Sequence, residues 1–220
     1  MFSDQARQSN IKSLSRSSTV MLTVYLASTN PGKLREFRNA AEGRGIGVEL
    51  LSGIENLPAC VEDGNTFEEN ACKKALYYSH WTEGMVFADD SGISVDALDS
   101  GPGVYSARYA GAQADDEANN QKLLHELAGV PPSNRTAHYV CVIALALHGK
   151  ILTVVEGRAD GLIQDEPEGT GGFGYDPYFF YPPLNRTFAE LSMEEKFKVS
   201  HRGEAFRKLL DYLQDKCGGE

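Results

Sequence analysis

The residues best suited to chemistry are two adjacent acids, Asp89 and Asp90, within Val86-Phe87-Ala88-Asp89-Asp90-Ser91-Gly92. Apolar or small residues running into acids, a hydroxyl and a glycine predict a short buried strand that delivers the carboxylates at its end. Neighbouring side chains on an extended chain point to opposite faces, so the two acids have different tasks. One can face a cleft while the other anchors the loop. A carboxylate there is a candidate ligand for a hard divalent cation, which prefers oxygen. In isolation, a solvated turn built on Asp is the simpler reading.

Three further stretches carry candidate binding groups. Residues 21 to 27 read as a strand, and Leu34, Phe37 and Ala41 mark one helix face. The hexapeptide Ser28-Thr29-Asn30-Pro31-Gly32-Lys33 therefore joins a strand to a helix N-terminus, where free N–H groups suit an anion. It is not a Walker A loop, and plain helix capping explains it in isolation. Residues 168 to 177 place four glycines around Phe173 and Tyr175. Glycines let backbone approach a ligand, and an aromatic between them offers a face for stacking on a base. Lastly, Ser200-His201-Arg202-Gly203 is read as preceding the amphipathic helix marked by Phe206, Leu209, Leu210 and Leu213. No nucleophile elbow surrounds Ser200, which sets aside a serine hydrolase.

The remaining elements must position these groups. Val48 to Leu51 reads as a short strand. Thr66 with Glu69 forms a capping-box signature for a helix running to about Trp81, with Phe67, Ala71, Ala75 and Tyr78 on its apolar face. Glu62 lies in the loop before it, either reaching a metal or solvated. Ile93 to Val95 continues as strand, and residues 101 to 111 form a glycine-rich loop carrying Arg108. A helix over 115–128 follows. Thr136 to Leu147, apolar on both faces, reads as a central strand that returns through His148-Gly149-Lys150 as a hairpin.

A chain of 220 residues with 41% hydrophobic and 24% charged residues fits one soluble domain, placed here at 21–216. Residues 1–20, with six serines, read as a flexible tail. A net charge of -10 argues against polymeric nucleic acid, which needs a basic field. It leaves room for a single nucleotide met by local cations. Four cysteines without Cys-x-x-Cys spacing argue against zinc and a disulfide framework, and fit a reducing cytoplasm. The apolar run Val140 to Leu147 is too short to span a membrane.

Taken in order, Ser28-Thr29-Asn30-x-x-Lys33, Thr66-Phe67-x-Glu69-Asn70-Ala71, Ala88-Asp89-Asp90-Ser91-Gly92, residues 102–108, residues 171–177 and Ser200-His201-Arg202-Gly203 resemble the inosine triphosphate pyrophosphatase family. The resemblance covers about residues 21 to 215. It implies hydrolysis of ITP, dITP and XTP to the monophosphate and pyrophosphate, with Mg²⁺. It also implies a homodimer and a two-lobed α/β fold, a long mixed β-sheet flanked by helices with a central substrate cleft. By position Asp90 matches the family's general base, also near the metal, and Glu62 falls near its other acidic metal position. Ser28, Thr29, Asn30, Lys33, Ser91, Phe173, Gly174, Tyr175, Asp176, Lys196, His201 and Arg202 match its substrate contacts.

The chemistry of those residues agrees. Lys33, Lys196, Arg108 and a bound cation could offset a triphosphate locally. Asp90 could take the proton of an attacking water. Arg202 always donates hydrogen bonds and His201 can donate, which suits the C6 oxygen of hypoxanthine or xanthine rather than the amino group of adenine. Two other classes stay open: a pyrophosphatase for other modified nucleotides, and a non-catalytic nucleotide sensor. A substrate panel separates the first, and the cost of two acids beside a triphosphate argues against the second. Arg202→Ala is expected to reduce ITP turnover far more than thermal stability.

Overall fold

The computed structural model describes residues 22–113 and 115–217, with the side chain of residue 217 left aside. The reading of residues 1–20 as a tail lies outside them. The first elements are β1 (Leu22–Leu26), α1 (Pro31–Ala41) and β2 (Ile46–Leu50). α2 (Phe67–Tyr78) runs on through a 3-10 turn to Trp81, the predicted end. Thr66 accepts from the Glu69 amide at 3.1 Å, while the Glu69 carboxylate reaches back to the Asn65 amide at 2.6 Å, one residue before the cap. β3 (Met85–Val95), β4 (Gly101–Pro102), α3 (Asp116–Glu126), β5 (Thr136–Leu147) and β6 (Lys150–Ile163) follow. The chain closes with β7 (Phe179–Tyr181), β8 (Arg186–Thr187), α4 (Met193–Val199) and α5 (His201–Cys217). Among the described residues no helix is long and apolar enough to cross a membrane.

The strands form one mixed sheet in the order β2-β1-β3-β5-β6-β7-β8, with β4 on the edge of β3. β1 runs parallel to β2 and to β3, and every other pairing is antiparallel. This sheet corrects the placement of the two acids at a strand end. β3 continues through them, because β5 pairs with it from Val86↔Ala146 to Val95↔Ala137. On the opposite edge, β1 pairs only with Met85 to Phe87, and β4 only with Ser94 and Val95. The stretch between has no neighbouring strand there. The acids therefore sit at a gap in the sheet, opened where β1 turns away into α1.

Three cores surround that gap. One lies between the sheet and α1 with α5, where Phe87 packs on Phe37 and Phe206 at ring separations of 5.2 and 5.8 Å. The opposite face buries Val86 and Ala88 against Ala71 and Ala75 of α2. The third gathers Ile93, Tyr139, Leu123, Phe179 and Phe188 at the far end of β3. Each fully buried aromatic side chain contributes about 1.5–3 kcal/mol. β3 and β5 pass through both lobes, so the gap lies where one lobe hands over to the other.

The junction of α4 and α5 corrects a second boundary. His201 and Arg202 lie in the first turn of α5, because Ser200 both ends α4 and caps α5. Its carbonyl accepts from the Glu204 amide at 2.9 Å and its hydroxyl from the Gly203 amide at 3.2 Å. Gly157 of β6 makes room for that turn, since a Cβ there would lie 2.1 Å from the His201 carbonyl oxygen.

Candidate active site

At the end of β1, the polar hexapeptide caps α1. Asn30 Oδ1 accepts from the Gly32 and Lys33 amides at 2.8 and 3.3 Å, and Ser28 Oγ from the Asn30 amide at 3.1 Å. Thr29 is exposed. Lys33 reaches back from the first turn to place Nζ 2.8 Å from Asp89 Oδ2. α1 carries no acid in its first turn, so its N-terminal dipole remains suited to an anion, while the Asn30, Gly32 and Lys33 amides are engaged by the cap itself.

The two acids do face opposite ways. Asp89 shares the face of Phe87 and is 1% exposed. Burial pushes its carboxyl up, but Lys33, Arg202 and Lys74 outweigh that and hold it well below the usual carboxylate range. Arg202 Nε lies 3.6 Å from Asp89 Oδ2, a charge contact rather than an aligned hydrogen bond. Asp89 is thus the anchor that joins α1 to α5.

Asp90 points toward α2. Its Oδ2 accepts from Asn70 Nδ2 at 3.0 Å, and Oδ1 from the Ser91 amide at 3.1 Å. Asn70 Oδ1 accepts in turn from the Gly64 amide at 2.8 Å, tying the Glu62 loop to β3. Lys74, one turn further along α2, places Nζ 2.6 Å from Glu62 Oε2. Burial raises the Asp90 pKa; Lys74 and the Asn70 hydrogen bond lower it, Glu62 and Asp89 raise it, and the net shift is upward. The result is a more basic carboxylate than a solvated one, as a proton acceptor requires.

On the Asp89 side lies a cavity of about 120 Å³ reached by Ser91, Phe173, His201 and Arg202. Whole-ligand pockets are roughly 300–1,000 Å³, so this space suits a flat base while a sugar and phosphates lie in the open gap. Phe173 is 49% exposed, held between Gly172 and Gly174, both at positive φ. Lys196 Nζ and Arg202 Cζ lie 4.9 and 5.5 Å from its ring centre. Arg202 Nη2 donates to Ser91 Oγ at 3.1 Å, and Nη1 to Glu36 Oε2 at 3.4 Å. His201 stacks on Tyr139 at 4.6 Å, with the rings nearly parallel. Burial, then Arg202 and Lys196, keep its imidazole neutral, with Nδ1 buried and unpartnered. A larger groove between α1 and α4 is lined by Glu36, Glu42 and Glu194 against the single cation Lys198, a net negative charge that opposes a phosphate chain.

Tyr175 and Asp176 are buried supports rather than open contact groups. Asp176 Oδ2 accepts from Lys196 Nζ at 2.5 Å and from the Phe173 amide at 2.8 Å, so it sets the aromatic's loop. Tyr175 donates its hydroxyl to the Ser106 carbonyl at 2.8 Å, and Gly174 donates its amide to Asp116 Oδ2 at 2.7 Å. Arg108 does not join the cluster; it is exposed and lies over the Tyr105 ring at 5.3 Å.

A family model described as the Ham1 family matches residues 24–212. This chain belongs to the Ham1 family. A dITP/XTP pyrophosphatase of Bacillus subtilis is 46% identical over 195 residues, covering 89% of this chain and 98% of the relative. Another, from Geobacter sulfurreducens, is 49% identical over 193 residues, covering 88% and 97%. Among solved structures, a HAM1 protein from Coxiella burnetii superposes with a TM-score of 0.81 at 40% identity, covering 89% of this chain and all of that one. The Staphylococcus aureus Ham1 protein gives 0.79 at 39% identity, covering 88% and 99%.

Within this Ham1-family fold the structure places at the site residues to which the sequence reading gave no role there. Asn70 and Lys74 sit at i and i+4 on α2, a spacing that was available, but their burial under the Glu62 loop was not. Tyr139 was hidden in the apolar run of β5. Asp89 stood beside Asp90 from the outset, and its role as an ion-pair hub depends on the fold.

Proposed function

We propose that this chain hydrolyses ITP, dITP and XTP to the nucleoside monophosphate and pyrophosphate. One observation carries the reading. Lys74 touches Glu62 and lies within the field of Asp90, while the adjacent Asp89 connects through Arg202 to Phe173, so an acid pair and a base pocket share one gap in the sheet. The names of the relatives point to the same substrates. The base stacks on Phe173, with its C6 oxygen toward free N–H groups of Arg202 and a neutral His201. Lys33, Lys196 and the positive end of the α1 dipole hold the phosphates. Asp90 takes a proton from a water that attacks the α-phosphorus, and the bond to the bridging oxygen of the departing pyrophosphate breaks.

Glu62 and Asp90 also fit a divalent cation. Both lie within the field of one amine, and Mg²⁺ commonly takes one or two carboxylates together with substrate phosphates and waters. Among the described residues no three His, Cys, Asp or Glu side chains gather as one metal-holding group. Bound there, Mg²⁺ would neutralise phosphate charge and lower the pKa of a coordinated water. The family resemblance further supports a cytoplasmic homodimer, which sedimentation tests. Incubation with ITP, dITP, XTP, GTP and ATP, with and without Mg²⁺, tests the activity. Monophosphate and pyrophosphate from the first three are expected; orthophosphate alone, or equal turnover of ATP, overturns the reading.

Phe173→Ala separates stacking from chemistry. Stacking on an aromatic contributes about 1–3 kcal/mol per base and ignores base identity. KM for ITP is therefore expected to rise about 10- to 100-fold while kcat holds. The half-exposed ring leaves the melting temperature almost unchanged. Steady-state kinetics on ITP check this, and a fall in kcat with constant KM would place Phe173 in the chemical step.

A further inference from the structure

We propose that Lys74 is a built-in counter-cation: its amine occupies the charge position between Glu62 and Asp90 that the divalent cation takes over during turnover. This rests on the metal reading above and extends it to how the site exists before the metal arrives.

Among the described residues, Asp89, Asp90 and Glu62 face the buried or half-buried cations Lys33, Arg202 and Lys74, with Glu36 held by Arg202 and Lys196 by Asp176. Lys33 and Arg202 lie on Asp89, at 2.8 and 3.6 Å. Lys74 is the cation in contact with Glu62, and its charge also reaches Asp89 and Asp90. It touches Glu62 at 2.6 Å and acts on Asp90 through space. Asn70 fixes the frame, because its carbonyl holds Gly64 of the Glu62 loop while its amide holds Asp90. The two carboxylates are thus held in register by a neutral side chain, and Lys74 is the movable member. A lysine is a compact point charge on a flexible stem, able to give way without dismantling the site, as a forked guanidinium would not.

The neighbouring pair provides an internal comparison. Lys73 bridges Asp63 on the same loop, but those side chains are 45% and 66% exposed, whereas the Lys74 side chain is 13% exposed. An exposed pair of this kind contributes little. A buried amine beside two acids sets the local charge. With Lys74 present, Glu62 and Asp90 carry a net charge of about -1 between them; without it they present a dianion matched to a divalent cation.

The test is Mn²⁺ binding followed by electron paramagnetic resonance on the full chain without nucleotide. Lys74→Met is expected to bind Mn²⁺ at least about tenfold more tightly than the unmodified protein. Lys73→Met is expected to match the unmodified protein. Lys74→Gln serves as the second variant, with circular dichroism to verify folding of both. Addition of Glu62→Gln to Lys74→Met should abolish the gain. Equal or weaker binding by Lys74→Met and Lys74→Gln overturns the proposal, as does an equal gain in Lys73→Met. A separate arm tests the underlying site: Mn²⁺ binding to the complex with α,β-methylene-ITP should weaken in Glu62→Gln and Asp90→Asn. If neither weakens it, the metal reading itself fails, and the two failures are thereby told apart.

Discussion

Asp90→Asn is expected to lose about 10²- to 10⁴-fold in the turnover of ITP while the protein melts at nearly the same temperature. The rate follows from chemistry. An amide cannot accept a proton at neutral pH, and it is a poorer partner for a divalent cation than a carboxylate. Stability is spared because two opposing effects meet at this side chain. Asp90 accepts from both Asn70 and the Ser91 amide, and an amide can keep only one of those bonds through its single oxygen, a loss of about 0.5–1.5 kcal/mol. Burial and the nearby charges of Glu62 and Asp89 work against the carboxylate, and the substitution relieves both. Pyrophosphate release from ITP and a thermal melt in parallel check this. A variant with near-normal rate would remove Asp90 from the mechanism, and one that melts far lower would make it a structural residue.

The elements were legible where local pattern and tertiary demand coincide. Thr136 to Leu147 is apolar on both faces because it is sandwiched between cores, and the predicted and observed limits agree. Thr66 caps α2 as its spacing to Glu69 suggests, although the Glu69 carboxylate turns to the Asn65 amide. The acids of β3 were misplaced at a strand end because charged residues disfavour strand interiors, and only the long partner β5 overrides that preference. The same limit applies within the site. Asp176 was expected to touch substrate, yet it is enclosed by Lys196, the Phe173 amide and the Tyr139 hydroxyl. Which polar residue supports and which one contacts is decided by burial, and no spacing rule encodes it. Lys74 looks like any helix-surface lysine until the Glu62 loop folds over it.

Arg202→Met is expected to change both selectivity and stability, which revises the expectation from sequence that turnover alone would suffer. Arg202 is 3% exposed and helps neutralise the fully enclosed Asp89. Its removal leaves that carboxylate with Lys33 as its one close cation, and breaking a buried pair costs about 3–5 kcal/mol. For a domain of this size that corresponds to a fall of about 6–20 °C in melting temperature. Selectivity falls for a different reason. A buried donor facing an adenine amino group stays unpaired, and a site built on such pairing discriminates by factors on the order of 10⁴. With the guanidinium gone, the preference for ITP over ATP is expected to shrink to about 10- to 100-fold, with His201 and shape left to sustain it. Adding Asp89→Asn separates the two roles. The double variant removes the stranded charge, and Lys33, 19% exposed, can turn to solvent. Several degrees of melting temperature should return while the ITP preference stays low. If the preference returned with the stability, Arg202 would act only by holding Asp89, and recognition of the purine oxygen would have to pass to His201.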